Sequence, residues 1–179
     1  MQRSLDTLAL LGVNAVLLAA FYYQFALGEL PCPLCALQRV GFVVAGVALM
    51  LNLRVGYAPT HYGLVLLTSV AAASASLRQI ALHVVPGSGS YGSALFGWHF
   101  YTWAFVGYGA LVVYVGAMLM FVPAPQTGER TQRLGLLPRL ACVLLVVMAA
   151  ANAAAFLLEC GFGPCPDNPV GYLWWPALR

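Results

Sequence analysis

Two cysteine pairs hold the chemistry in this sequence. The first is Pro31-Cys32-Pro33-Leu34-Cys35, where a long apolar run ends, and the second is Cys160-Gly161-Phe162-Gly163-Pro164-Cys165, directly after another. A C-x-x-C pair exchanges two electrons with another dithiol when a thiolate attacks a disulfide sulfur. At a membrane surface it can also pass them to an acceptor dissolved in lipid. Such a centre needs surroundings that favour the thiolate. Cys35 is expected at or near the start of a helix, where the dipole favours an anion, and Arg39 brings positive charge one turn further along the same face.

The plainer readings of C-x-x-C are a structural disulfide or half of a metal site. A zinc site usually takes four ligands, and the others would have to come from the distant tail or from helix ends, so no metal is expected. Ala36 after Cys35 excludes C-x-x-C-H haem attachment. The glycines and proline between Cys160 and Cys165 make a short turn in which the sulfurs can close a small loop. In an oxidising compartment a static disulfide is the default there, and a labile, exchanging bond stands beside it.

The elements that must position these cysteines follow from composition. With 62% hydrophobic and 7% charged residues, the 179-residue chain reads as an integral membrane protein. It has room for several spans, so a single transmembrane domain over 1–179 is expected. The net charge of +3 comes with scattered arginines and no lysine. It offers no basic stripe for a phosphate backbone, and nucleic acid is not an expected partner. The first apolar stretch is longer than a signal-peptide core and has no clear cleavage site, so it reads as a retained helix. No P-loop, dinucleotide fingerprint or nucleophile elbow occurs.

Apolar runs predict five helices, at about Leu8–Leu27, Leu37–Leu53, Tyr62–Val85, Phe100–Val122 and Leu137–Leu158, with a tail at 159–179. Breaks at Gly28–Pro33, Arg54–Thr60, Pro86–Gly92 and Pro123–Gly135 carry turn chemistry. Arg3, Arg54, Arg130, Arg133 and Arg139 fall on one side if the first helix starts in the cytoplasm. Both cysteine pairs then face the outer compartment, with Glu29, Glu159 and Asp167 as the negative charges there. Small residues at Ala71–Ser76 and Ala149–Ala155 suit close helix packing in lipid. Trp98, Trp103, Trp174 and Trp175 sit near predicted outer ends, as membrane-belt residues do.

The run Phe21-Tyr22-Tyr23-Gln24, followed by Leu30-Pro31-Cys32-Pro33-Leu34-Cys35-Ala36-Leu37-Gln38-Arg39, resembles the signature of the DsbB family of membrane disulfide-generating proteins. The combination is an aromatic residue with glutamine, C-x-x-C eight residues later, and arginine four after the second cysteine. The resemblance covers the first four helices, to about Val122, and is most distinctive in the first two. It implies an all-α helical bundle of four DsbB-like transmembrane helices, to which this chain adds a fifth. It also implies a protein-dithiol:quinone oxidoreductase of the bacterial inner membrane, with a cytoplasmic N-terminus; the fifth helix then makes the C-terminus periplasmic. The partner would be a periplasmic thioredoxin-like DsbA-type protein, and the acceptor ubiquinone or menaquinone. Cys32 and Cys35 would form the quinone-coupled disulfide, with Cys35 against the quinone ring and Arg39 supporting it.

The chain departs from that pattern in two places. The family usually carries a second cysteine pair between its third and fourth helices, where Pro86–Ser93 here has none. The family also usually ends after four helices. The fifth helix is therefore expected to deliver Cys160 and Cys165 as a replacement pair.

Rival readings are a quinone-coupled thiol oxidoreductase resembling the vitamin K epoxide reductase family, which places its C-x-x-C late in the chain, and a transporter or scaffold with structural disulfides. Among other residues, Gln24 and Arg78 are candidates for holding quinone. Gln24 alternatively bonds an adjacent helix, and Arg78 alternatively snorkels or binds a lipid headgroup. His83 and His99 either solvate the interface or relay protons. Cys142 is expected as a buried apolar thiol and Asn152 as an interhelical hydrogen-bonding residue.

Overall fold

The structure, a computed structural model, describes residues 2–121 and 134–175. Five α-helices dominate: α1 (Gln2–Ala26), α2 (Pro33–Arg54), α3 (Pro59–His83), α4 (Phe100–Phe121) and α5 (Leu136–Cys160). Each has 22 to 25 residues, which at about 1.5 Å per residue is enough to cross a bilayer core. All five are also apolar enough to do so. Val122, Arg130 and Arg133 lie outside the described residues.

The helices differ at their ends from the apolar runs. α1, α2 and α3 start at 2, 33 and 59, earlier than hydropathy places them, because their first turns are polar or begin with proline. Pro33 and Pro59 occupy first-turn positions, where the missing N–H loses nothing. α3 stops at His83, whereas α5 continues to Cys160. The segment before α4 holds a short antiparallel hairpin, β1 (Ala94–Leu95) with β2 (Trp98–His99). Phe96 and Gly97 turn it at φ 53° and 83°, the left-handed pair that a two-residue hairpin loop requires.

α2 is the hub, packing on α1, α3 and α5, while α3 packs on α4 and α1 on α5. Its approach to α3 and α4 depends on Gly41, where a Cβ would lie 2.5 Å from Ala72 Cβ and 2.6 Å from Tyr108 Oη. Ala72, in the small-residue stretch of α3, is the packing residue expected there. Gly41→Val is therefore expected to cost about 1–3 kcal/mol by overpacking. A lowered thermal unfolding midpoint in detergent would register it, and an unchanged midpoint would mean that this contact yields freely.

Because the helices alternate in direction, Arg3, Arg54 and Arg139 share one end of the bundle and the four paired cysteines the other. At the arginine end, Tyr62 and Tyr114 donate to Asp6 Oδ1 at 2.8 and 2.7 Å, tying α3 and α4 to α1. Asn14 Nδ2 donates to the Ala141 carbonyl at 3.0 Å, joining α1 to α5. Asn152 does not make the expected interhelical bond. It donates to Met148 O, one turn back in its own helix, at 2.8 Å, a partner that every helix offers a short polar side chain. Cys142 is buried, as expected, among the residues of the apolar core.

Candidate functional site

Cys32 caps α2: its Sγ accepts from the Cys35 amide at 3.2 Å, and its backbone is extended. This arrangement places Cys35 in the first helical turn. The two are disulfide-bonded with Cα atoms 4.9 Å apart. Cys32 is buried at 6% exposure, while Cys35 is half-buried and lines a cavity. The two sulfurs thus differ in access.

A third residue joins them. Gln79, on α3 and buried, donates from Nε2 to Cys32 Sγ at 3.3 Å and to Cys35 Sγ at 3.5 Å. Gln38 Nε2 donates to Gln79 Oε1 at 2.8 Å and so orients that amide. Arg78, the neighbour of Gln79, is the candidate that the sequence offers on this helix. Arg78 is exposed and is not among the residues that line the cavity. The signal was nonetheless present: an amide inside an apolar helix has to find a partner there.

Arg39 sits one turn beyond Cys35 and is 9% exposed. Its Nη1 donates to Gln24 Oε1 at 2.5 Å, its Nη2 to the Ala20 carbonyl at 3.1 Å, and its guanidinium carbon lies 5.5 Å from the Phe21 ring centroid. The aromatic-glutamine run of α1 is thus the cradle for Arg39. Gln24 spends its own Nε2 proton on Tyr172 Oη, at 2.9 Å. It joins Arg39 to the C-terminal tail and is not part of the cavity wall.

The cavity, of about 440 Å³, opens between α1 and α4 over α2. Its wall is mostly alanine, valine, leucine and aromatic side chains, with Cys35, Gln38, Arg39, Glu29 and Tyr91 as the exceptions. Tyr91 donates to the Leu30 carbonyl at 2.7 Å, and Ser93 donates to Glu29 through N at 3.0 Å and also through its hydroxyl. These bonds pin the loop before the hairpin over the loop that carries Cys32. Burial first, and then the Glu159 and Glu29 carboxylates, push the Tyr91 phenol up to about 12, so its hydroxyl stays a neutral donor near neutral pH. A second groove of about 350 Å³ shares Val16, Phe42, Gly107 and Ala110 with the first and continues towards Leu5 and Tyr114.

Cys160, the last residue of α5, is bonded to Cys165 with Cα atoms 4.7 Å apart. Gly161 ends the helix at φ 62°, a conformation open chiefly to glycine. The tail then folds back: Leu173 N donates to Glu159 O at 3.4 Å and Trp174 N to Leu158 O at 3.0 Å. Glu159, at the same end of the bundle as the paired cysteines, is buried at 2% exposure beneath this tail. His83 and His99 both stack on the ring of Tyr101, which lines the cavity, with ring centroids 5.4 and 5.3 Å away. Among the described residues, no three His, Cys, Asp or Glu side chains gather closely enough to hold a metal ion.

The fold and site define a multi-pass helical membrane protein with two disulfides at one end and a mostly apolar cavity beside the first. The family model for disulfide bond formation protein DsbB matches residues 2–93, just over half of the chain, and the chain belongs to that family. It is similar to three curated relatives, each described as disulfide bond formation protein B. The one from Chromobacterium violaceum is 39% identical over 71 residues, 37% of this chain and 43% of its own. The one from Stutzerimonas stutzeri is 33% identical over 90 residues, 47% and 54% of the two chains. The one from Marinobacter nauticus is 39% identical over 75 residues, 40% and 45%. The chain thus spans about half the length of the curated relatives it matches. No solved structure matches it. The matched family span ends before α4, so Glu159, Cys160, Cys165 and Tyr172 lie beyond it.

Proposed function

We propose that this chain is a protein-dithiol:quinone oxidoreductase that reoxidises a DsbA-like periplasmic protein. The observation that carries the reading is the cavity whose mostly apolar wall brings Cys35, Gln38 and Arg39 together, with Glu29 and Tyr91 as its other polar members. That shape and donor set suit a flat ring with two carbonyls at the sulfur end, and the adjoining groove between α1 and α4 suits an apolar tail. A quinone bound there supplies a two-electron, two-proton acceptor.

In this reading Cys160 and Cys165 accept two electrons from the partner dithiol, whose own disulfide forms as theirs opens. The resulting dithiol opens Cys32–Cys35 in turn through a mixed disulfide. Cys32 and Cys35 then release two electrons and two protons as their disulfide closes again. During that step Arg39 holds positive charge one turn from Cys35, and Gln79 offers an N–H to each sulfur. His83 and His99, stacked on Tyr101 beside the cavity, would relay the protons that reduction of a bound quinone consumes. The arginine-bearing end of the bundle lies in the cytoplasm of a bacterial cell, the whole chain forms one transmembrane domain in its inner membrane, and both disulfides face the periplasm.

The test is quinone reduction by purified full-length protein supplied with a reduced soluble dithiol protein. Wild type is expected to turn over, while Cys160→Ser and Cys165→Ser each fall at least tenfold, since either change removes the disulfide that meets the partner. Absence of turnover in wild type would overturn the reading, and undiminished turnover in both serine variants would return Cys160–Cys165 to a structural disulfide.

A further inference from the structure

A guanidinium carries five N–H donors and no acceptor. Gln24 must therefore turn its carbonyl oxygen towards Arg39, and does so at 2.5 Å. That choice sends the amide nitrogen of Gln24 the other way, in a side chain only 2% exposed. A buried N–H without an acceptor is costly. Among the described residues its acceptor is Tyr172 Oη, at 2.9 Å. If that oxygen were absent, the amide would have to move to satisfy its nitrogen, and the movement would take its oxygen off Arg39.

Tyr172 reaches Gln24 because the tail returns over the end of α5. Leu173 N and Trp174 N donate to the Glu159 and Leu158 carbonyls at 3.4 and 3.0 Å. The tail also packs so closely on Gly161 that a Cβ there would lie 3.1 Å from Trp174 Nε1. These contacts seat the tyrosine, 7% exposed, without calling on its hydroxyl. Tyr172, Gln24 and Arg39 thus form one buried chain of hydrogen bonds from the tail to the cavity wall, where Arg39 stands with Cys35 and Gln38. Tyr172 itself is not among the residues that line the cavity.

We propose that Tyr172 is a positioning residue for this cavity: it holds Gln24, Gln24 holds Arg39, and the tail thereby sets how firmly the cavity binds a quinone carbonyl. The proposal rests on the reading of the cavity as a quinone site. Two of the five Arg39 donors are committed to Gln24 and the Ala20 carbonyl, and those two bonds fix the plane in which the remaining N–H groups point. A hydrogen bond to a ligand depends on that aim, since it weakens steeply as the angle closes. The charge of Arg39 near Cys35 depends on it far less, because the Ala20 carbonyl and the Phe21 ring still hold the guanidinium when Gln24 lets go. Loss of the Tyr172 hydroxyl should therefore weaken quinone binding more than it slows the chemical step. The fifth helix then has two duties in this chain. It carries a cysteine pair to the outer end, and it seats a tail that completes a site whose cysteines and arginine lie within the first 93 residues.

The test is steady-state kinetics of the full chain with a reduced soluble dithiol protein and a short-tailed ubiquinone. Tyr172→Phe removes one oxygen atom and keeps the ring and the backbone bonds of the tail, so the variant is expected to fold. Its KM for the quinone should rise about three- to tenfold, as befits one lost hydrogen bond, with kcat and the KM for the dithiol protein within about twofold of wild type. A tail that had merely come loose would instead raise the KM for the dithiol protein, because Cys160 and Cys165 lie at its root, and that result would overturn the proposal. The Gln24→Glu background supplies the second arm. A carboxylate has no N–H to place and presents an oxygen to Arg39 whichever way it turns, so adding Tyr172→Phe there should change the quinone KM by less than about twofold. A rise that persists in that background would mean that Tyr172 does not act through the Gln24 amide, and would also overturn the proposal. An unchanged quinone KM in Tyr172→Phe, with wild type turning over, would overturn it while quinone reduction stands. Wild type that does not reduce quinone would overturn both.

Discussion

Cys35→Ser is expected to abolish quinone reduction, with a loss of at least about a thousandfold, because serine oxygen forms no disulfide and has none of the nucleophilicity of a thiolate. The choice of Cys35 over Cys32 comes from the geometry. Cys35 lines the cavity, whereas Cys32 is 6% exposed and serves as the helix cap. Cys35→Ser leaves Cys32 as a free thiol, so the same variant should accumulate a mixed disulfide formed when Cys32 attacks the Cys160–Cys165 disulfide and one of those two sulfurs leaves as a thiolate. Absorbance of the quinone measures the first outcome, and non-reducing gels with peptide mapping measure the second. Turnover that survives in Cys35→Ser would remove the proposed function and favour a transporter or scaffold with structural disulfides.

Gln79→Leu is expected to slow the quinone-linked step about 10- to 100-fold while leaving the fold intact. The amide of Gln79 reaches both sulfurs, and a hydrogen bond to a charged partner contributes about 1.5–3 kcal/mol, which gives that range in rate. Leucine fills nearly the same volume in the apolar surroundings of α3. The effect should appear in kcat at saturating quinone, because the bond is to the sulfur that becomes charged. Arg78→Leu, next door but exposed, should stay within about twofold of wild type. Equal rates for the two variants would mean that Gln79 serves the packing of α3 and not the sulfurs.

The cysteine pairs, the helix-start position of Cys35 and Arg39 one turn later are all local, and local spacing on a helix is fixed by 3.6 residues per turn. They were therefore legible, as were the five spans, whose apolar length is dictated by the bilayer. Gln24 was legible as a candidate but not in its use. Its two partners, Arg39 and Tyr172, lie 15 and 148 positions away, and only the second shows that the amide faces the tail and not the cavity. The role of Gln79 is not marked in the sequence because its partners Gln38, Cys35 and Cys32 lie 41, 44 and 47 positions away, and adjacent residues on a helix point about 100° apart and meet different neighbours. Asn152 is the residue expected to bond another helix, yet it bonds within its own, and it is Asn14 that donates to a carbonyl of a neighbouring helix.

The sequence by itself determined a membrane bundle of five apolar helices, a C-x-x-C at the start of the second helix with Arg39 one turn later, and a second cysteine pair at the same end as the first. Only the tertiary structure decided that Gln79 holds the first pair, that Gln24 and Phe21 cradle Arg39, and that Glu159 is buried under the folded-back tail. The physical reason is the range of the interactions. Helix formation and membrane insertion depend on neighbours within a few residues, while a buried amide or carboxylate is assigned its partner by whichever distant helix packs against it.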